Sequence, residues 1–359
     1  MRVVLAGGGT TGHIAPLIAT AEALRRVDPA VAINCVGTPV GLEGSVIPAA
    51  GLTLDLVDPV PWPRRLGRDL VTLPFRLSRA VHQARAILAR TGAEVVIGFG
   101  GYAALPVYLA AHRAKLPLVV HEANAVPGLA NRIGARFATT TCVTFSNTGL
   151  PRQVVTGLPV RGMIAGLDRA AQRAPARQEL GLPADGPVLL VSGGSQGAQA
   201  LNQRLMAALP GLDAAGVNVL HLSGAKQADH LGEPPDLRTI VYRRLAYLDR
   251  MDQAYAAADL MLGRAGAGTV TETAMVGLPA IFVPFPHGNG EQVKNAASLV
   301  AAGAGRLIAQ ADLTPARLIA TVSDLVTTGQ LDRMGRLAAA MMPRDAAERV
   351  AQFAREAVG

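Results

Sequence analysis

Three features of this 359-residue chain predict an α/β protein built from two parallel-sheet domains. Short apolar runs alternate with helix-length segments. A turn rich in glycine, serine and threonine follows the first strand of each half. Half of the residues are hydrophobic, yet only 4% are aromatic. Strand-helix alternation is the mark of a parallel sheet covered on both faces, and small aliphatic residues let helices pack closely upon it. A chain of this length can bury two separate cores.

Taken in order, strands are expected at 3–6, 31–36, 95–97, 118–120 and 140–144 in the first half, each a run of aliphatic and β-branched residues. A second series is expected at 188–191, 217–222, 239–242, 260–262 and 280–283. The segment 169–187, rich in Arg, Ala and Pro, reads as the connection, with a boundary near Val160. Domains are therefore expected at 1–160 and 161–340. The last residues, 341–359, are expected to form a helix that packs back on the first domain, Met334, Leu337, Met341 and Met342 marking the apolar side of the tail.

Composition narrows the function classes. The formal net charge of +8 favours anionic partners such as acidic lipid or phosphorylated substrates. The two cysteines, Cys35 and Cys142, lie in apolar strand-like runs and read as buried thiols of a reducing compartment. The uncharged stretch after Arg2 is interrupted by four glycines, His13 and Pro16, which fits strand-turn-helix and not a secretory signal. The run 95–111 is too short and too broken by glycine and proline to span a bilayer. The expected location is the cytoplasm, with a membrane reached only from the protein surface.

The turn Gly7-Gly8-Gly9-Thr10-Thr11-Gly12-His13 places backbone N–H groups, two hydroxyls and an imidazole at a helix start, the arrangement that receives phosphate. His13 reads either as a general base or as a helix-start residue bonded to backbone. The second strand ends Cys35-Val36-Gly37-Thr38 without the carboxylate that a dinucleotide fold uses for ribose, which disfavours nicotinamide chemistry. Further turns follow other strands: Gly98-Phe99-Gly100-Gly101-Tyr102, then His121-Glu122-Ala123-Asn124 with Pro127, Gly128, Asn131 and Arg132 behind it. In the second half Gly193-Gly194-Ser195-Gln196-Gly197-Ala198, with Asn202 further on, repeats the first turn. The stretch from Arg264 through Ala267-Gly268-Thr269-Val270-Thr271-Glu272 opens another helix, and Glu272 either grips a ribose diol or complements the helix dipole as in a capping box. Pro286-His287-Gly288-Asn289-Gly290-Glu291-Gln292 ends the series. Neither Asp-x-Asp nor a Cys/His cluster occurs, so no metal and no other cofactor is expected; charge on a departing diphosphate would fall to backbone N–H groups and to Arg161 or Arg264.

Between Trp62 and Arg90 seven arginines (64, 65, 68, 76, 79, 85 and 90) face a single acid, Asp69, and alternate with Trp62, Leu66, Leu70, Leu73, Phe75 and Leu77. This pattern suits an amphipathic surface on an anionic bilayer; the alternative is a solvated helix whose apolar side is core.

As a set, the strings at 8–13, 98–102, 121–124, 157–161 (Gly-x-Pro-Val-Arg), 193–198 and 269–272 resemble the MurG family, the bacterial N-acetylglucosaminyltransferases of peptidoglycan synthesis. Their order and spacing match over nearly the whole chain. The resemblance implies a GT-B fold, two Rossmann-like domains facing a cleft. It implies inverting transfer of N-acetylglucosamine from UDP-N-acetylglucosamine to undecaprenyl-diphospho-N-acetylmuramoyl-pentapeptide (lipid I), forming lipid II on the cytoplasmic face of the plasma membrane without nucleic acid. It further implies that Glu272 holds the ribose, the backbone at Leu248 reads the uracil, and Ser195 with Ala267, Gly268 and Thr269 contacts the diphosphate, Val270 and Thr271 completing that motif. Gln292 and Glu291 would meet the sugar hydroxyls, with Asn124 and Arg161 completing the donor site. Thr10, Thr11, Gly12, Gly100, Gly101 and Tyr102 would receive the acceptor diphosphate. His13 is the first choice of base and Glu122 the second. Thr11, Ala123, Leu158 and Pro286 depart from the family pattern, where glycine, glutamine, asparagine and glutamine are usual. The rival readings are another GT-B glycosyltransferase acting on a glycolipid or natural product, a nicotinamide-dependent oxidoreductase, and a noncatalytic carrier-binding protein.

Overall fold

The computed structural model describes residues 1–60, 68–194 and 197–359. The chain divides into unit 1, Met1–Arg161 with Asp345–Gly359, and unit 2, Gly162–Arg344.

Unit 1 is built on β1 (Arg2–Ala6), β2 (Ala32–Gly37), β3 (Thr53–Leu56), β4 (Val95–Gly98), β5 (Leu118–Glu122), β6 (Thr140–Val143) and β7 (Gln153–Val155). Among the described residues they form one sheet in the order β3-β2-β1-β4-β5-β6-β7, every pairing parallel. Because successive side chains of a strand point to opposite faces, each central strand feeds two cores. Val3, Leu5, Val95 and Ile97 pack with the helix Thr11–Val27 and the C-terminal helix Ala346–Glu356. Val4, Ala6, Val96 and Val120 pack with the helices Arg68–Thr91 and Ala104–Arg113 on the other face. Cys35 and Cys142 are free and buried in the first of these cores.

Unit 2 follows the same plan with β8 (Val188–Ser192), β9 (Asn218–Leu222), β10 (Tyr242–Leu245), β11 (Leu260–Gly263), β12 (Ala280–Phe282) and β13 (Gly305–Leu307), ordered β10-β9-β8-β11-β12-β13 and all parallel. In an open parallel sheet, ligands bind beyond the carboxyl ends of the strands where the order reverses. That point lies between β1 and β4 in unit 1 and between β8 and β11 in unit 2. The four strands leading into the glycine-rich turns are these four.

Three expectations are corrected. The segment 169–187 is no connector: Arg169–Leu180 is a helix of unit 2, capped at its start by the Asp168 carboxylate and closed by Gly181 in the left-handed region. Its Arg177 is fully buried, donating to Asp259 at 2.8 Å and to the carbonyls of Ala257, Pro183 and Ala184, so its polar composition hides a packed face. β10 starts three residues later than expected because the Asp213 carboxylate takes the N–H groups of Arg238, Thr239 and Ile240 away from the ladder. The edge strands β3, β7 and β13 lacked a signal, being three or four residues long with mixed exposure.

Candidate active site

In unit 1 the turns after β1 and β4 are pressed together backbone to backbone. Gly9, Gly100 and Gly101 have φ of +91°, +88° and +87°, the region only glycine enters without strain. A Cβ on Gly101 would collide with the Gly8 carbonyl oxygen. Thr10, Thr11 and Gly12 stand exposed at the start of the helix Thr11–Val27, and the Thr10 side chain does not cap it. Its first-turn N–H groups therefore point outward with no side-chain acceptor of their own, as an anion site requires. Tyr102 lies half exposed on the second turn.

Not every amide of these turns is available. The Gly9 N–H donates to Glu43 Oε2 at 3.0 Å, while Thr38 donates its N–H and hydroxyl to Glu43 Oε1 at 2.9 and 2.8 Å. Burial opposes ionisation of Glu43, but these donors outweigh it and hold its carboxyl below the usual range. Glu43 thus brings to the end of β2 the acid that the strand itself lacks. It is fully buried against loop amides, so it fastens the turn and does not reach a ribose.

His13, half-buried, has Nδ1 2.7 Å from the Phe99 carbonyl oxygen. A carbonyl only accepts, so Nδ1 carries a proton, and in the tautomer this bond selects Nε2 is the acceptor. The backbone-bonded reading of His13 is what the geometry displays. The next peptide group is also held: Gly100 N–H donates to the Tyr108 hydroxyl at 3.2 Å, and Tyr108 donates to Asn131 Oδ1 at 2.8 Å. The Tyr108 ring fits because Gly98 and Gly134 have no Cβ to obstruct it.

Glu122, the second candidate base, is 1% exposed. Its carboxylate accepts from Asn124 N–H at 2.9 Å, Gly128 N–H at 3.0 Å and Asn131 Nδ2 at 2.9 Å. Two of these three donors are amides of the segment that carries Asn124, so Glu122 organises that loop. His121 beside it is buried, its Nε2 donating to the Gly157 carbonyl at 2.9 Å, and burial lowers its pKa to about 4. Asn124 and Arg161, expected at the donor, belong to unit 1 and are half-buried.

In unit 2, Ser195 lies outside the described residues. The helix Ala267–Met275 follows β11, and its cap residue Gly266 offers no side chain, which leaves the N–H groups at Ala267, Gly268 and Thr269 uncapped by a side chain. The Val270 and Thr271 side chains are fully buried. Glu272 stands beyond the first turn, which removes the capping-box reading. Its Oε2 accepts from the Tyr255 hydroxyl at 2.7 Å, a partner with no signal in the sequence. Leu248 lies in the loop after β10. Gln292 spends Oε1 on the Phe285 N–H at 2.9 Å, turning the amide with its Nε2 held in place, and Glu291 opens the helix Glu291–Ala301. Arg264, one candidate to face a departing diphosphate, is instead turned to the carbonyls of Val283 and Pro284 and to Gln310 and stacks 5.5 Å from the Phe285 ring. Asn202 joins a buried network, accepting from His221 Nε2 at 3.0 Å and donating to the Ser223 carbonyl at 2.9 Å, against which the Gly197 turn packs.

The basic segment 62–90 divides. Residues 61–67, with Trp62, Arg64, Arg65 and Leu66, lie outside the described residues. On the helix Arg68–Thr91, Leu73, Leu77, Ala80, Val81, Ala84, Ile87 and Leu88 face core, so most of the apolar side is not lipid-facing. Arg76 donates to the Pro59 carbonyl, Arg79 pairs with Asp58 at 2.8 Å and Arg90 with Asp55. Among the described side chains of this helix Phe75 is the exception, 77% exposed; those of residues 68–71, Leu70 included, lie outside the described ones. No helix among the described residues is long and apolar enough to cross a membrane.

Residues 3–143 match the glycosyltransferase family 28 N-terminal domain, and residues 188–350 match the family 28 C-terminal domain. The chain is 54% identical, over 361 residues, to the UDP-N-acetylglucosamine-N-acetylmuramyl-(pentapeptide) pyrophosphoryl-undecaprenol N-acetylglucosamine transferase of Nocardioides sp. (strain ATCC BAA-499 / JS614), covering 99% of this chain and 98% of that one. It is 53% identical, with the same coverage, to the enzyme of that name from Acidothermus cellulolyticus. The crystal structure of Acinetobacter baumannii MurG matches with a TM-score of 0.79 at 29% identity, covering 99% of both chains. Two parallel sheets, glycine turns at both switch points and relatives of this identity over the full length together make the chain a family 28 glycosyltransferase of GT-B fold and a member of the MurG family.

Proposed function

We propose that this enzyme transfers N-acetylglucosamine from UDP-N-acetylglucosamine to lipid I, forming lipid II for peptidoglycan. The observation that carries the reading is His13, fixed by the Phe99 carbonyl with Nε2 as an acceptor beside two interlocked glycine turns. In the reaction Nε2 takes the proton of the acceptor sugar's hydroxyl, and the hydroxyl oxygen bonds to the anomeric carbon from the face opposite UDP. The bond from that carbon to the diphosphate oxygen breaks, and its electron pair leaves with UDP. Inversion follows from this single displacement.

In this reading unit 1 holds the acceptor, its diphosphate meeting the amides and hydroxyls of Thr10, Thr11 and Gly12 and the turn at Gly100, Gly101 and Tyr102. Unit 2 holds the donor. Glu272, oriented by Tyr255, binds the ribose diol; the backbone at Leu248 reads the uracil; the helix start at Ala267–Thr269, with Ser195, stabilises the departing diphosphate. Gln292 and Glu291 recognise the sugar, and Asn124 and Arg161 are further donor contacts. The enzyme works as a peripheral protein on the cytoplasmic face of the plasma membrane, touching anionic lipid through the 62–90 region.

Purified enzyme given UDP-N-acetylglucosamine and a short-chain lipid I analogue should release UDP and form the disaccharide product. His13→Ala should lower kcat by about 10²- to 10⁴-fold, the usual worth of a general base, with KM for UDP-N-acetylglucosamine within about twofold. Absence of UDP release above the blank overturns the acceptor assignment, and an active His13→Ala enzyme overturns the base.

A further inference from the structure

Three groups join His13 to a buried carboxylate, and every hydrogen bond along the way runs in the same direction. His13 Nδ1–H donates to the Phe99 carbonyl. That carbonyl shares its peptide unit with the Gly100 N–H, which donates to the Tyr108 hydroxyl oxygen. Tyr108 O–H donates to Asn131 Oδ1, and Asn131 Nδ2–H donates to Glu122 Oε2. Tyr108, Asn131 and Glu122 are each 1% exposed or less, so water does not compete along the chain.

We propose that Tyr108 is a positioning residue for the transfer, the central link of a polarised relay through which Glu122 supports His13. The inference rests on His13 being the base. When Nε2 takes the acceptor proton the ring becomes cationic and its Nδ1–H a stronger donor. Each aligned dipole then strengthens the next, and the chain ends on a negative carboxylate. No proton leaves Nδ1: the relay orients and polarises, and the only proton moved is the one gained at Nε2. In a serine-protease triad the carboxylate touches the imidazole directly; here a peptide group, a tyrosine and an asparagine stand between them. The arrangement also accounts for the fully buried tyrosine, whose ring requires glycine at both 98 and 134.

Tyr108→Phe removes the relay's central oxygen and keeps the ring. Two measurements on the full-length protein test it. Long-range ¹⁵N–¹H spectra of ¹⁵N-histidine-labelled enzyme, with the His13 signal assigned by its loss in His13→Asn, should show the Nδ1–H tautomer in the wild type and a reduced share of it in Tyr108→Phe. In kinetics, kcat should fall about fivefold to tenfold, the factor that one hydrogen bond commands, while KM for UDP-N-acetylglucosamine stays within about twofold. Wild-type spectra and wild-type kcat in Tyr108→Phe, or an Nε2–H tautomer in the wild type, overturn the relay. A changed tautomer with unchanged kcat supports the relay and overturns His13 as the base. Should Tyr108→Phe fold poorly, Glu122→Gln carries the same test from the other end, read by the His13 tautomer and by kcat alone, because Glu122 also holds the loop of Asn124 and KM for the donor moves with it.

Discussion

Gly101 shows how narrowly single residues are specified. Its φ of +87° disfavours any side chain, and a Cβ there would strike the Gly8 carbonyl oxygen. Gly51 has a φ of +68° but open space around the position of a Cβ, at the opposite edge of the sheet. Gly51→Ala should cost about 1 kcal/mol of stability and leave activity within about twofold. Gly101→Ala should push the two turns apart and, because displacements of about 1 Å at a site cost on the order of 10²-fold in rate, reduce kcat/KM for the lipid I analogue by that order. Equal activity losses in the two variants would contradict the interlocked-turn geometry. Glu43 belongs to the same scale. Nothing periodic marks it, although an acid set between Gly41 and Gly44 at the start of the helix Glu43–Ala49 is a signal that could have drawn attention.

At the level of elements, the helix Arg68–Thr91 carries two duties written over one another. Its apolar side from Leu73 to Leu88 is core, which the 3.6-residue periodicity cannot distinguish from a lipid-facing side. Phe75 falls outside that stripe and is exposed, on a helix that also carries Arg76, Arg79 and Arg85. An aromatic side chain among arginines suits insertion at an anionic lipid surface. Binding to phosphatidylglycerol-containing vesicles should weaken as salt rises, and Phe75→Ser should lower it about tenfold, the order expected from withdrawing one aromatic side chain from the lipid boundary. Binding indifferent to both salt and Phe75 would defeat this role. The C-terminal helix Ala346–Glu356 shows the converse: Ala347, Val350, Ala351 and Ala354 complete a core whose other members come from the first 150 residues, and Glu348 pairs with Arg26 at its edge.

For the whole molecule, each unit keeps one histidine neutral in its interior. Burial lowers the pKa of His121 to about 4; burial, and then the Arg244 charge, lower that of His221 to about 4. Between that value and the ordinary 6.5 the unfolded chain binds more protons than the folded one, so stability rises with pH across this window. It is fully present above about pH 6.5 and lost as pH falls toward 4, by on the order of 3 kcal/mol for each group. Urea-unfolding midpoints should therefore climb from pH 4.5 to 6.5 and level off above it. A flat profile across that interval would contradict the buried neutral histidines.

Local sequence determined the strand-turn-helix units, because aliphatic runs, glycines with left-handed φ and helix starts are properties of a few consecutive residues. It determined His13, the turns after β1, β4, β8 and β11, and the family likeness that rests on their order. Tertiary structure alone decided which turns are neighbours, since β1 meets β4 across an intervening strand pair and a long helix. It also decided the fates of the acids: Glu122 and Glu43 were drawn inward by backbone donors, while Glu272 was set by Tyr255. A side chain's exposure and partners depend on segments far away in the chain, and no local pattern carries that information.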